Sequence, residues 1–202
     1  MPETPHLFLP PTQTTVGAAG LVIRDDRLLM VRQERVTGVR WEVPGGGQEP
    51  GESLEETVAR EVAEEAGVTV TTGALICTYA SFRPHRGTAV IGAFYLATEA
   101  DPAAGGTSAT GSTSAAGGGS AAGGTSAVGG TSAVGGGSAA SPVPQTDDGI
   151  VEAAFLDPTT LPEDEVGPLS GAVLARWWPK RDQLTAPFHV ELWRTESGYT
   201  LR

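Results

Sequence analysis

Residues 46–68, GGQEPGESLEETVAREVAEEAGV, decide the fold. Their centre reads as a helix. Ser53 and Glu56 form an S-x-x-E capping box and Gly67 supplies a C-terminal stop, which predicts a helix from Ser53 to Ala66. Residues three and four apart share a helical face. Val58, Val62 and Ala66, flanked by Ala59 and Ala63, make a stripe for burial, while Glu61, Glu64 and Glu65 gather on a different arc. These acids sit at the end where the helix macrodipole is negative, and each exposed carboxylate there costs about 0.3–1 kcal/mol. The Glu61–Glu65 pair adds a repulsion of about 0.2–0.5 kcal/mol. Such a cluster either faces water or holds a hard divalent cation, since Mg²⁺ takes oxygen ligands and keeps waters or phosphates in its other positions. The helix alone leaves both readings open.

The spacing around the helix is more specific. The stretch fits G-x5-E-x7-R-E-U-x-E-E-x-G-U (U apolar), with Gly46, Glu52, Arg60, Glu61, Val62, Glu64, Glu65, Gly67 and Val68 at the fixed positions. That is the signature of the Nudix hydrolase family, which the chain resembles. The preceding WEVPGG, residues 41–46, is similar to that family's usual lead-in. The resemblance implies an α/β fold, a Nudix α/β/α sandwich with a mixed sheet. It also implies hydrolysis of a nucleoside diphosphate linked to another moiety, with Mg²⁺ or in some members Mn²⁺.

Carried over by position, Glu61, Glu64 and Glu65 would be the metal ligands, with the Gly45 carbonyl as a further one. Arg60 would orient Glu61, and Glu52 would support the far end of the motif. The base that activates water varies within the family, so Glu61 is the first candidate. Glu152 lies in the strand where some members place a further catalytic or metal-binding Glu, although an exposed strand Glu needs no special reason. Arg32, Trp41 and Gly46 are the candidate substrate contacts; surface or core packing explains Arg32 and Trp41 equally well. These roles suit the chemistry. Pyrophosphate cleavage requires charge neutralisation on the phosphate oxygens and a positioned water, and metal ions supply both. Glycines 45–47 let the backbone approach phosphate closely.

The rest of the chain divides around a low-complexity segment. Of its 202 residues, those from 103 to 140 are almost all Gly, Ser, Thr and Ala, with the internal repeat GGTSAVGGTSAVGGGSAAS. Nothing there offsets ordering entropy, so residues 101–147 are expected to be a disordered insert within a single domain spanning 1–202. Closing such a loop in place of a short turn costs only about 2 kcal/mol. Outside it, VGAAGLVIRDDRLLMVRQE reads as two short strands around a turn at 24–27, and RWEVPGGG as a short strand ending in a Pro-Gly loop. Residues 68–82 and 88–99 are expected strands joined by RPHRG. GIVEAAFLD is another strand, a short helix follows near residues 169–178, and FHVELWRTESGYTLR closes as a hairpin. Strands mixed with two helices indicate a layered α/β domain.

Composition bounds the partners. A formal net charge of −11 and a pI near 4.6 argue against a nucleic-acid duplex or an anionic membrane. The single cysteine, Cys77, permits no internal disulfide and fits a buried strand residue. The N-terminus does not read as a signal peptide, no apolar run approaches the roughly 18–20 residues that span a bilayer, and a cytoplasmic setting is the expectation. The expected partner is a nucleotide-type small molecule; the sequence does not specify the oligomeric state. Pro84 falls where ADP-ribose-cleaving relatives carry a proline, although RPHRG is also a natural hairpin turn. His85 and His189 read as ordinary residues. The intact acidic motif argues against a nucleotide sensor on the same fold, and Cys77 does not match what an isoprenoid diphosphate isomerase requires. An interaction protein built on the insert is a third alternative.

Overall fold

The apolar runs at residues 21–22 and 28–31 lack polar alternation because both faces of their strands are covered. The structure is a computed structural model and describes residues 13–36, 38–100, 141–146, 149–195 and 198–202. Its strands are β1 (Gln13–Arg24), β2 (Arg27–Arg35), β3 (Gly38–Glu42), β4 (Gly45–Gly47), β5 (Val70–Arg83), β6 (Thr88–Glu99), β7 (Ile150–Leu156), β8 (Phe188–Arg194) and β9 (Tyr199–Leu201), with helices α1 (Leu54–Ala66) and α2 (Pro168–Trp177). They join in the order β3-β2-β1-β6-β5-β8-β9, with β4 on β1 and β7 on β2. The β1–β6 and β5–β8 pairs are parallel and the others antiparallel, so the sheet is mixed.

Alternation along the strands divides the core in two. Leu21, Leu28, Met30 and Phe94 pack with Val173, Leu174 and Trp177 of α2. Val22, Leu29, Val31, Ala93 and Tyr95 pack with Val58, Val62 and Ala66 of α1. This is the expected α/β/α sandwich. Among the described residues, no helix is long and apolar enough to cross a membrane.

Three local features differ from the sequence expectation. The first two strands are long, with 12 and 9 residues, and their turn places Asp25 and Asp26 at φ 49° and 59°. Two successive left-handed residues match the twist of the flanking strands, and Asp tolerates that conformation. The glycines expected in a loop form β4, with Gly47, Gly46 and Gly45 opposite Gly17, Ala18 and Ala19. Pro84 opens a 3-10 turn, Pro84–Arg86, that reverses the chain into Gly87.

Most of the expected insert, 101–140 and 147, lies outside the described residues, as do residue 148 and the side chain of His85. Residues 141–146 are described and run along the C-terminal end of α1. Val143 N–H donates to the Ala66 carbonyl at 2.8 Å, and Gln145 N–H to that of Glu64 at 2.7 Å. They supply donors to carbonyls that a helix end leaves unsatisfied. Gly67 makes room for this strap. Its φ is +66°, and a Cβ there would collide with the Val143 carbonyl. Gly67→Ala is therefore expected to lower the unfolding free energy by about 1–2 kcal/mol from the left-handed backbone alone, with a further loss from displacing the strap. Urea unfolding checks this; an unchanged midpoint would show that the helix end is not constrained in this way.

Candidate active site

The start of α1 builds one side of the site. Ser53 Oγ accepts from Glu56 N–H at 3.2 Å, and the Glu56 carboxylate accepts from Ser53 N–H at 2.7 Å, so the capping box is complete. Just before it, Glu52 accepts from Glu49 N–H and from the buried Thr57 hydroxyl, both at 3.0 Å. Arg60 comes down on Glu52 with two prongs, Nε at 2.7 Å and Nη2 at 3.1 Å. The same guanidinium donates to the Gly47 carbonyl at 2.8 Å, to Glu61 Oε1 at 2.8 Å and to Glu64 Oε2 at 3.1 Å. These bonds hold the Glu52 carboxyl well below the usual range, down to about 2, first through Arg60 and next through Glu49 N–H. In return Arg60 is held more firmly cationic, chiefly by Glu52.

Glu61 and Glu65 do not face water. They are 9% and 5% exposed, whereas the Glu64 side chain is 47% exposed. Glu65 Oε2 accepts from Gly45 N–H at 2.8 Å. The Glu61 carboxylate lies so close to Gly46 that a Cβ on that residue would collide with it. The two buried acids are turned toward β4, and the absence of a side chain at Gly46 makes that approach possible.

The expected metal centre is not assembled here. Among the described residues, no group of three or more His, Cys, Asp or Glu side chains is placed to hold a metal ion. The reason is local: Arg60 Nη1 binds both Glu61 and Glu64, while Gly45 N–H holds Glu65. The donor set nevertheless fits a hard divalent cation. All three side chains offer carboxylate oxygens, one guanidinium faces three carboxylates counting Glu52, and the Glu64 side chain is half-exposed.

Arg32, Trp41 and Glu152 are brought together, but away from this cleft. Arg32 lies opposite Trp41 on one side and Glu152 on the other. Its guanidinium is 5.9 Å from the Trp41 ring centroid and 3.8 Å from the Glu152 carboxylate. Trp41 is 7% exposed and belongs to the α2-side core. None of the three lines the cleft of about 690 Å³ that runs past Gly45, Gly46 and Gly47; of the expected substrate contacts, only Gly46 does. Sequence reading missed Tyr79, Ser81 and Arg83, which line the same cleft from β5. Their signal was alternation, since every second residue of a strand points to one face.

The NUDIX domain family model matches residues 13–113. Over 70 residues the chain is 44% identical to a MutT-like protein of Streptomyces ambofaciens, which covers 34% of this chain and 44% of the relative. Over 53 residues it is 47% identical to diphosphoinositol polyphosphate phosphohydrolase 3-alpha of Mus musculus, covering 26% of this chain and 32% of that one. The chain thus spans less than half the length of these curated relatives. The crystal structure of a NUDIX hydrolase from Nitrosomonas europaea superposes with a TM-score of 0.58 at 15% identity, covering 88% of this chain and 78% of that one.

The depressed Glu52 carboxyl carries a pH signature. A carboxyl whose folded value lies below its unfolded value adds stability above the unfolded value, and that stability is lost as pH falls toward the folded one. The gap in melting temperature between the parent and Glu52→Gln should be full above an ordinary carboxyl value of 4.5 and shrink toward pH about 2. Thermal unfolding across that range tests it. A gap that stays flat would mean that the Arg60 pairing does not bind the Glu52 charge.

Proposed function

The chain belongs to the Nudix family, and from that premise we propose that it is a metal-dependent pyrophosphohydrolase acting on a nucleoside diphosphate linked to another moiety, nucleoside triphosphates included. The observation that carries the proposal is the single guanidinium that ties Glu52, Glu61, Glu64 and the Gly47 carbonyl into one unit beside a glycine-lined cleft.

Glu61, Glu64 and Glu65, with the Gly45 carbonyl, would hold Mg²⁺ or Mn²⁺, and the bound ion supplies Lewis-acid charge and a water of lowered pKa. The chain's own residues do the remaining work. Glu52 fixes Arg60, and Arg60 fixes the direction of Glu61. Glu61, buried against Gly46, is the first candidate to accept the proton of the attacking water, because it sits where the backbone lets a phosphate come close. Gly45 N–H holds Glu65 in place. Glu64, half-exposed beside Arg60, would be the third carboxylate to hold the ion. ADP-ribose and nucleotide sugars are the alternative substrate class within the same reading. Pro84 does not favour them, since it opens a chain-reversing turn that needs no ligand.

A screen of nucleoside triphosphates, ADP-ribose, nucleotide sugars and dinucleotides, with Mg²⁺, with Mn²⁺ and with chelator, tests the proposal. At least one compound should turn over with metal and none with chelator. Glu61→Gln should cut kcat by about 10²–10⁴-fold, and Glu65→Gln should also abolish most turnover, with unfolding midpoints near the parent's. Absence of any turnover, or parental rates in both variants, would discard the hydrolase reading.

A further inference from the structure

The cleft that runs past the β4 glycines carries a cluster of charge opposite to that of the α1 acids. Across the parallel β5–β8 ladder Phe82 pairs with Trp193, and their rings stack at 4.6 Å. Successive strand residues point to opposite faces. Arg83 and Arg194, the next residue on each strand, therefore stand side by side on the other face, and both line the cleft together with Arg35. Arg194 is only partly exposed, and its Nε is fully buried with no hydrogen-bond partner among the described residues. Burial and then the charges of Arg83 and Arg35 pull its pKa down, against Glu42 and Tyr199. Glu42 itself accepts from Ser170 Oγ at 2.6 Å.

This arrangement stands out in a chain with 24 acidic residues against 13 basic ones. Arg24 is matched to Glu99, Arg181 to Asp26, and Arg60 to three glutamates. Arg35, Arg83 and Arg194 form no ion pair among the described residues. A buried donor left unsatisfied is costly, more so when charged, and like charges crowded together add to it. An anion in the cleft would relieve both. Arginine is the side chain best shaped to take a phosphate, through its planar fork.

We propose that Arg35, Arg83 and Arg194 form a phosphate subsite, which holds a phosphoryl group of the substrate remote from the pyrophosphate cleaved beside α1. Tyr79 sets the separation. Its hydroxyl lies near the β4 backbone, since a Cβ on Gly17 would lie 2.6 Å from the Gly46 carbonyl and 3.2 Å from that hydroxyl. Arg83 is four residues further along the strand, about 13 Å at the usual rise. The substrate class is accordingly a pyrophosphate compound that carries a further phosphate at its other end. The inference deepens the hydrolase reading and rests on it for the word substrate.

The test separates the two. With chelator present, so that the α1 acids carry no metal, the full chain is titrated calorimetrically with inorganic tripolyphosphate. The parent should bind, and Arg194→Gln and Arg83→Gln should each weaken binding by about tenfold or more. Arg194→Lys should recover part of the loss, and Arg86→Gln, outside the cleft, should stay within about twofold of the parent. If Arg194→Gln fails to fold, Arg83→Gln carries the result. No binding by the parent, parental binding in both cleft variants, or an equal loss in Arg86→Gln overturns the subsite. On any compound that turns over, Arg194→Gln should raise KM with little change in kcat; a loss of kcat at unchanged KM also overturns it. Failure of every turnover assay would remove the hydrolase reading, while the titration would still decide the subsite.

Discussion

One guanidinium holds the acidic site beside the cleft together. Arg60 reaches Glu52 in the loop before α1, two acids on α1 itself and a carbonyl of β4, and so fixes a helix, a loop and a strand relative to one another. Its bidentate bond to Glu52 is the strongest kind of side-chain pairing, because planar fork meets planar carboxylate. Glu52 in turn is fastened to Glu49 N–H and Thr57. The pairing therefore does more than add stability. It sets the orientation of Glu61, whose carboxylate has room only because its neighbour is Gly46.

The placement of acids at the wrong end of a helix is also answered by structure. The macrodipole cost comes from unsatisfied carbonyls in the last turn. Here the Ala66 and Glu64 carbonyls receive N–H donors from residues 143 and 145, and the Ala63 carbonyl receives one from Gly67. The negative end is thus partly neutralised by backbone from a distant part of the chain. The remaining repulsion between Glu61 and Glu65 is reduced because Arg60 binds one and Gly45 N–H the other.

Local signals made much of this legible in the sequence. The capping box, the Gly67 stop and the Val58–Val62–Ala66 stripe required only helix geometry. What remained hidden was non-local. The burial of Glu61 and Glu65 depends on β4, a strand made of three glycines that reads as a loop because glycine carries no strand signal. Trp41, Arg32 and Glu152 were candidates for substrate or metal with packing as an equal reading, and no local pattern showed that β2 lies between β3 and β7 and gathers them with one another. Arg83 and Arg194 are 111 positions apart in the sequence and meet only through a parallel pairing that no local pattern announces.

The two ends of the cleft alter what the acidic composition means. A net charge of −11 suggests repulsion of any anion. At physiological ionic strength, however, the field of a charge fades over about 8 Å. A phosphate inside the cleft is governed by the side chains around it rather than by the total. Behind the β4 glycines lie the α1 carboxylates, whose oxygens suit a cation; further along, the cleft is lined by Arg35, Arg83 and Arg194, which form no ion pair among the described residues. The composition therefore argues against long anionic polymers, whose charges extend beyond the cleft. It does not argue against a compact phosphorylated ligand whose charges fall within it.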